Sequence, residues 1–292
     1  MVENNIEKLI HRCEEELADI DDLEKREEQK ENIRQLWLKY RGEDEVISSD
    51  KYQELLAKDA KKKQLKIYTH IPKLDEIIEG FREGNLVVIS GATKEGKTSI
   101  SQTFTENFEE KCLWFTYEVP VSEFLEKFTK IPLFYLPKTL KGNTTDWLEK
   151  KIVEGIAKFN VKAVFIDHLH YIVDMKAMGA NMSLQIGATM RELKRIALRW
   201  GIVIFLIAHI TKSKIMDIPD LDAIRDSSFV AQEADIVMFI VRLRDKTTGK
   251  YSNEALASVQ AHRRTGKCGT VKLVYLDNKF KELEGNYEPT SI

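Results

Sequence analysis

Ile6, Ile10, Cys13, Leu17 and Ile20 recur at spacings of four, three, four and three, which draws one apolar seam along a helix. A second stripe follows at Ile33, Leu36, Trp37 and Tyr40, after the mixed-charge stretch Asp21–Glu31. Two such segments can pair as a helical hairpin, dock on another chain or pack on their own domain, and two heptads are too few for a stable coiled coil. Ser48, Ser49 and Asp50 then offer N-cap oxygens for a short helix carrying Tyr52, Leu55 and Leu56. The run Lys61-Lys62-Lys63 reads as a solvated linker. These patterns divide the chain into a helical amino-terminal segment, 1–60, and a larger domain, 65–292.

The period then changes. Leu86–Ile89, Cys112–Phe115, Ala163–Ile166, Ile202–Ile207, Ile236–Val241 and Val271–Tyr275 are short, near-continuous apolar runs. Longer helical stretches follow several of them, at Thr98–Glu109, Ser122–Lys130, Asp146–Lys158 and Leu184–Trp200. Strands covered by helices on both faces give such runs, so the pattern predicts an α/β fold around a mainly parallel, doubly wound sheet of six or more strands. From Asp235 on, short strands and little helix predict an antiparallel edge.

The chain has 292 residues, 43% apolar and 32% charged, enough for a packed core and too apolar for a disordered chain. Its formal net charge of -2 argues against a nucleic-acid protein only while it is taken whole. Residues 1–60 hold 10 Lys and Arg against 18 Asp and Glu, a net of -8, which leaves +6 on the remainder. The basic remainder suits contact with a phosphate backbone, and the acidic segment suits docking of a protein. Cys13, Cys112 and Cys268 lie far apart and form no CxxC pair, so neither a zinc site nor a disulfide framework is expected. The start MVENNIEKLI lacks a signal-peptide core, and the longest apolar stretch, Gly201–Ala208, falls far short of the roughly 20 residues that span a bilayer. The expectation is a soluble, cytoplasmic protein without a membrane partner.

Residues 91–98 read GATKEGKT and satisfy G-x-x-x-x-G-K-[ST], between a strand and a helix. Gly91 and Gly96 let the backbone wrap so that successive N–H groups face phosphate oxygens at the positive end of a helix. Gly91, Ala92, Thr93, Lys94, Glu95, Gly96, Lys97, Thr98 and Ser99 therefore form the candidate cradle for ATP. Lys97 is placed to reach the β- and γ-phosphates, and the Thr98 hydroxyl to ligate Mg²⁺. In VKAVFIDHL, four apolar residues put Asp167 at the carboxyl end of a strand, where it either shares the Mg²⁺ shell or caps a helix. Glu118 follows the strand Cys112–Thr116 and is either a water-orienting carboxylate or an ordinary exposed strand end.

Taken together, these motifs resemble the RecA-type ATPase core of DnaB-like and Twinkle-like replicative helicases. The resemblance runs through IPKLDEIIEGFREGNLVVISGATKEGKTS (71–99), FTYEV (115–119), VFIDHLHYI (164–172), IAHI (207–210), AIRDSSFVAQEADIVMFIVR (223–242) and HRRTGKCGTVKLVY (262–275). The Arg-Asp-Ser segment followed by Gln-Glu-Ala-Asp looks specifically DnaB-like. The resemblance implies a RecA-like P-loop NTPase, a ring helicase with 5′-to-3′ polarity on single-stranded DNA, and a hexamer. It implies Glu118 as the catalytic glutamate, Asp167 as the Walker B aspartate and His209 as the residue coupling the γ-phosphate to the DNA loops. It implies Arg264 as a finger inserted into the neighbour's site. A one-residue shift would make Arg263 the finger, and His262 stands where the family usually has a lysine.

Two loops after central strands then become candidates for DNA. Asp174–Ser183 carries Lys176, and Thr211–Asp226 carries Lys212, Lys214 and Arg225. Flexible loops of this composition suit contacts that ignore sequence. The competing reading keeps the fold but makes the chain a RecA-, RadA- or KaiC-like filament or switch ATPase without unwinding. Sixty amino-terminal residues cannot hold the larger domain that DnaB-like helicases carry there. They are expected to form a collar or to receive a helicase loader or primase, with 48–60 packing on an adjacent subunit.

Overall fold

The computed structural model describes residues 2–41, 46–59, 64–173, 182–209, 230, 232–244 and 250–283. Two short strands, β1 (Lys66–Ile67) and β2 (Phe81–Arg82), form an antiparallel pair. Eight others build one sheet: β3 (Leu86–Gly91), β4 (Cys112–Thr116), β5 (Ala163–Asp167), β6 (Val203–His209), β7 (Ile236–Arg244), β8 (Tyr251–His262), β9 (Gly269–Leu276) and β10 (Lys279–Glu282). Their order is β10-β9-β8-β7-β3-β6-β5-β4, with β7, β3, β6, β5 and β4 parallel and β8, β9 and β10 added antiparallel. The expected α/β class and antiparallel edge are both present. The expectation of short strands there needs correction, because β7, β8 and β9 run nine, twelve and eight residues.

Side chains alternate across each central strand, and both faces are dry. Leu86, Val88, Val164, Ile166, Ile204, Leu206, Val237 and Phe239 belong to one buried cluster. Val87, Ile89, Ala163, Phe165, Val203, Phe205, Met238 and Ile240 belong to the other. The second face is covered by α4 (Pro72–Ile78), α5 (Lys97–Asn107) and α6 (Val121–Glu126), which supply Leu74, Ile78, Ile100, Phe104 and Phe124. The first is covered by α7 (Thr145–Phe159) and α8 (Met182–Trp200). Asn160, in the left-handed region, caps α7, and the Thr144 hydroxyl accepts from Trp147 N at its start.

The amino-terminal stripes meet this second helical layer. Helices α1 (Val2–Glu15) and α2 (Leu23–Arg41) pack on α7 as an outer layer, and Ile6, Ile10, Cys13, Ile33 and Leu36 join the same buried cluster as the sheet. Polar ties frame the contact. Lys39 donates to the Trp200 carbonyl, Lys158 and Lys111 pair with Glu16 and Glu28, and between α1 and α2 the Trp37 indole N–H donates to Glu14. Of the three arrangements open to the seam, two are adopted together: α1 and α2 pair as a hairpin, tied by Arg41–Glu7 and Trp37–Glu14, and the hairpin packs on its own domain. Ile10→Ala is expected to lower unfolding free energy by about 2–5 kcal/mol, from lost burial and the cavity left behind. The denaturant midpoint measures this, with Leu38→Ala, 60% exposed, as the control. Equal shifts for the two would mean that the helices are not docked in solution.

Helix α3 (Ser49–Asp59) is different: Tyr52 and Leu55 are 57% and 45% exposed, and its described side chains are all exposed.

Candidate functional site

Strand register brings the candidate residues together. Gly91 at the end of β3 pairs with His209 at the end of β6, Ile207 of β6 pairs with Asp167 of β5, and Asp167 pairs with Thr116 of β4. Four parallel strands therefore deliver the phosphate loop, His209, Asp167 and, two residues past Thr116, Glu118 to one carboxyl edge. Ligands of open α/β sheets bind at such an edge, beside the strand where the order reverses. Here that strand is β3, flanked by β6 and β7.

A cleft of about 450 Å³ lies there, lined by Thr93, Lys94, Gly96, Lys97, Thr98, Ser99, Glu118, Val119, Lys127, His209, Arg242, Tyr275 and Phe280. Of the remaining candidate cradle residues, Gly91, Ala92 and Glu95 form the body of the loop. The Glu95 carboxylate accepts from Ala92 N at 3.2 Å, and burial pushes its pKa up. Gly91 and Gly96 are needed for different reasons. A Cβ on Gly91 would lie 2.4 Å from the Ile240 carbonyl oxygen of β7, a backbone atom that cannot move aside. Gly96, at φ 96°, starts α5 in the left-handed region and leaves room for the Phe280 ring. Lys97 is 5% exposed, and its ammonium donates to the Gly91 and Ala92 carbonyls at 3.0 and 2.8 Å. Burial lowers its pKa, while Glu118, Asp167 and Glu95 oppose that shift.

The Thr98 hydroxyl donates to Asp167 Oδ2 at 2.8 Å, and Asp167 Oδ1 is buried without a hydrogen-bond partner. Burial pushes the Asp167 carboxyl up to about 6; the Thr98 bond and Lys97 counter this, and Glu118 adds to it. An orphan carboxylate oxygen beside a threonine hydroxyl is a hard-oxygen donor set, and it fits Mg²⁺. Glu118 is 38% exposed at its side chain, with Oε2 3.8 Å from His209 Nε2 and 3.5 Å from His168 Nδ1. Burial and the adjacent His209 lower the His168 pKa to about 4, and burial and Lys97 lower that of His209.

Both arginines lie away from this cleft, past the end of β8. Arg264 Nη1 is 3.1 Å from Glu79 Oε2, and Lys267 holds the other oxygen of that carboxylate at 2.7 Å. Arg263 donates to the Gln232 carbonyl and approaches Asp235 at 3.9 Å. Asp235 is itself a junction, accepting from Leu86 N at 2.8 Å and Lys194 at 2.6 Å. His262 is 6% exposed; its Nε2 donates to the Ile78 carbonyl of α4 while Nδ1 accepts from Thr265 N. Lys176, Lys212, Lys214 and Arg225 lie outside the described residues.

Sequence reasoning missed Lys127, Arg242, Tyr275 and Phe280. Arg242 had a signal, since a charged residue closing an apolar run is the same mark that picked out Asp167. Its Nη2 donates to the Ser252 carbonyl, and its buried Nε has no hydrogen-bond partner. Tyr275 and Phe280, with ring centroids 4.8 Å apart, look in sequence like ordinary alternation in an edge strand.

A family model described as the DnaB-like helicase C-terminal domain matches residues 121–283, and one described as KaiC matches 67–133. A probable replicative DNA helicase of Trieres chinensis is 21% identical over 249 residues, 71% of this chain and 55% of the relative. The replicative DNA helicase DnaC of Bacillus subtilis strain 168 is 22% identical over 267 residues, 77% of this chain and 58% of the relative. The chain thus spans a little over half the length of these relatives. A solved ATPase domain superposes with a TM-score of 0.70 at 18% identity, over 82% of this chain and all of that one. A DnaB-like replicative helicase, from a structure describing its interactions with primase, gives a TM-score of 0.65 at 18% identity, over 96% and 78% of the two chains.

Proposed function

The chain belongs to the DnaB-like helicase C-terminal domain family, and from that premise we propose that it is the ATP-driven motor of a ring-forming replicative DNA helicase, working in the cytoplasm. The observation that carries the reading is the shared carboxyl edge, where Lys97, Thr98, Glu118 and Asp167 converge on one cleft. Each has a separate task in this proposal. The N–H groups of residues 92–98, at the start of α5, hold the phosphates of ATP. Lys97 leaves the Gly91 and Ala92 carbonyls for the β- and γ-phosphates. Thr98 and Asp167 would hold Mg²⁺, which would supply neutralisation of the phosphate charge. Glu118, reachable from solvent, orients the attacking water and takes up its proton.

His209 gives the reading its link to DNA. It stands 3.8 Å from Glu118 at the last described position of β6, where the chain enters the candidate DNA loop. The proposal makes it the sensor that reports loss of the γ-phosphate to Lys212, Lys214 and Arg225, with Lys176 on the other candidate loop. Arg264 completes the site of an adjacent subunit, which requires an oligomer; a closed ring, a hexamer in this proposal, is the symmetric solution. The exposed Tyr52 and Leu55 of α3 are offered to that neighbour, and the acidic amino-terminal layer to a loader or primase.

A forked-duplex assay run beside ATP turnover tests the proposal. Single-stranded DNA is expected to stimulate hydrolysis and to bind with an affinity that falls steeply with salt, and the forked duplex is expected to be unwound from its 5′ tail. Hydrolysis indifferent to DNA, with no strand release, would replace the helicase reading by a KaiC-like switch ATPase.

A further inference from the structure

Beside Glu118 and His209, which line the cleft and have roles in hydrolysis in the reading above, stands a third donor, His168, that ATP hydrolysis with Mg²⁺ does not call for. Glu118, His168 and His209 each offer one ligand atom, and the three atoms all lie within 4.8 Å of one another. Two edges of this triangle are 3.5 Å (Glu118 Oε2 to His168 Nδ1) and 3.8 Å (Glu118 Oε2 to His209 Nε2). A tetrahedral zinc with ligands at about 2.0–2.1 Å sets its ligand atoms roughly 3.3 Å apart, so only small side-chain rotations separate this trio from a ligand set. His168 Nδ1 is buried and has no hydrogen-bond partner, although the Glu118 carboxylate faces it. That leaves a ring nitrogen without another partner, 3.5 Å from the Glu118 carboxylate oxygen. The rings of His168 and His209 are edge-to-face, with centroids 4.5 Å apart, so their nitrogens converge without the rings colliding.

We propose that Glu118, His168 and His209 form a second metal site, selective for a borderline transition cation of the Zn²⁺ or Co²⁺ class, and that its occupation inhibits ATP hydrolysis. Imidazole nitrogens favour such cations over Mg²⁺, whereas Thr98 and Asp167 offer oxygen alone and keep the hard ion. Three protein ligands leave a fourth position for water or a phosphoryl oxygen. Inhibition rests on the role proposed above for Glu118: a carboxylate bound to zinc no longer orients the attacking water. The metal site itself does not rest on that role.

The test uses the full chain with Mg²⁺ in excess. Co²⁺ is expected to bind at one equivalent and to give the visible ligand-field bands of a low-coordinate site, and Zn²⁺ to displace it. His168→Phe keeps a ring against Tyr171, whose centroid is 4.9 Å away, but supplies no ligand. It should weaken Zn²⁺ by at least about 100-fold, leave basal ATP turnover unchanged and remove the inhibition by Zn²⁺. Glu118→Gln, read by Co²⁺ absorption alone, should lose the bands as well and stands in if the first variant does not fold. Absent bands in the parent chain, or equal Zn²⁺ affinity in parent and variant, would overturn the site. Bands without any ATP turnover would keep the site and sink the ATPase reading, so the two fail separately.

Discussion

Lys97→Ala is expected to lower ATP turnover by at least about 10²-fold, the loss typical when one fixed donor to developing phosphoryl charge is removed. The reason lies in how the ammonium is held. Lys97 is 5% exposed, and its ammonium is bonded to the Gly91 and Ala92 carbonyls and flanked by Glu118 and Asp167. The other cations that line the cleft come from elsewhere: Lys94 is exposed at the loop tip, Lys127 enters from beyond α6, and Arg242 is tied to the Ser252 carbonyl. The substitution also removes from Asp167 a cation that counters its burial and the repulsion of Glu118, which disfavours its ionised form. Lys97→Arg is not expected to rescue, because a planar fork does not fit where a compact ammonium fits. Turnover measured beside the thermal midpoint separates lost chemistry from lost folding. Turnover equal to the parent in a folded Lys97→Ala chain would sink the nucleotide-site reading.

How far the sequence reached follows from which contacts are local. The phosphate loop was legible because its motif, strand and helix are contiguous. The central strands were legible because burial on both faces leaves an unbroken apolar run. β8 was missed for the opposite reason: YSNEALASVQAH is rich in small and polar residues, and it is held by pairing with β7 and β9. Its Ser258 is fully buried yet satisfied by Thr270 at 2.8 Å, a partnership that exists only once the hairpin has formed. The amino-terminal stripes gave the helices correctly and could not name their partner, since α7 lies more than a hundred residues away. His168 is the sharpest case. In VFIDHLHYI it reads as the residue after a strand end, and its approach to Glu118 and His209 depends on the register of three strands.

The same dependence on distant partners governs the proposed arginine finger, and there it yields an outcome that separates two adjacent residues. Arg264→Ala is expected to leave nucleotide binding intact and to reduce hydrolysis by roughly 10³–10⁵-fold, the range for a finger acting from a neighbouring subunit. Among the described residues its side chain is tied to Glu79, a half-exposed carboxylate that Lys267 also holds, and such a pair is readily exchanged for a phosphate across an interface. Arg263 is tied to the Gln232 carbonyl and to the Asp235 junction that anchors the start of β3, so Arg263→Ala should lower the thermal midpoint first. Mixing distinguishes the two. An Arg264→Ala subunit retains Lys97, and a Lys97→Ala subunit retains Arg264, so one kind of junction in a mixed ring carries a complete site. Random equimolar assembly restores about a quarter of the sites, and turnover should recover to that order. An Arg263→Ala chain mixed with Lys97→Ala should show no such pattern if its defect is one of folding. Recovery with Arg263→Ala and none with Arg264→Ala would move the finger by one residue; recovery with neither would remove the site shared between subunits.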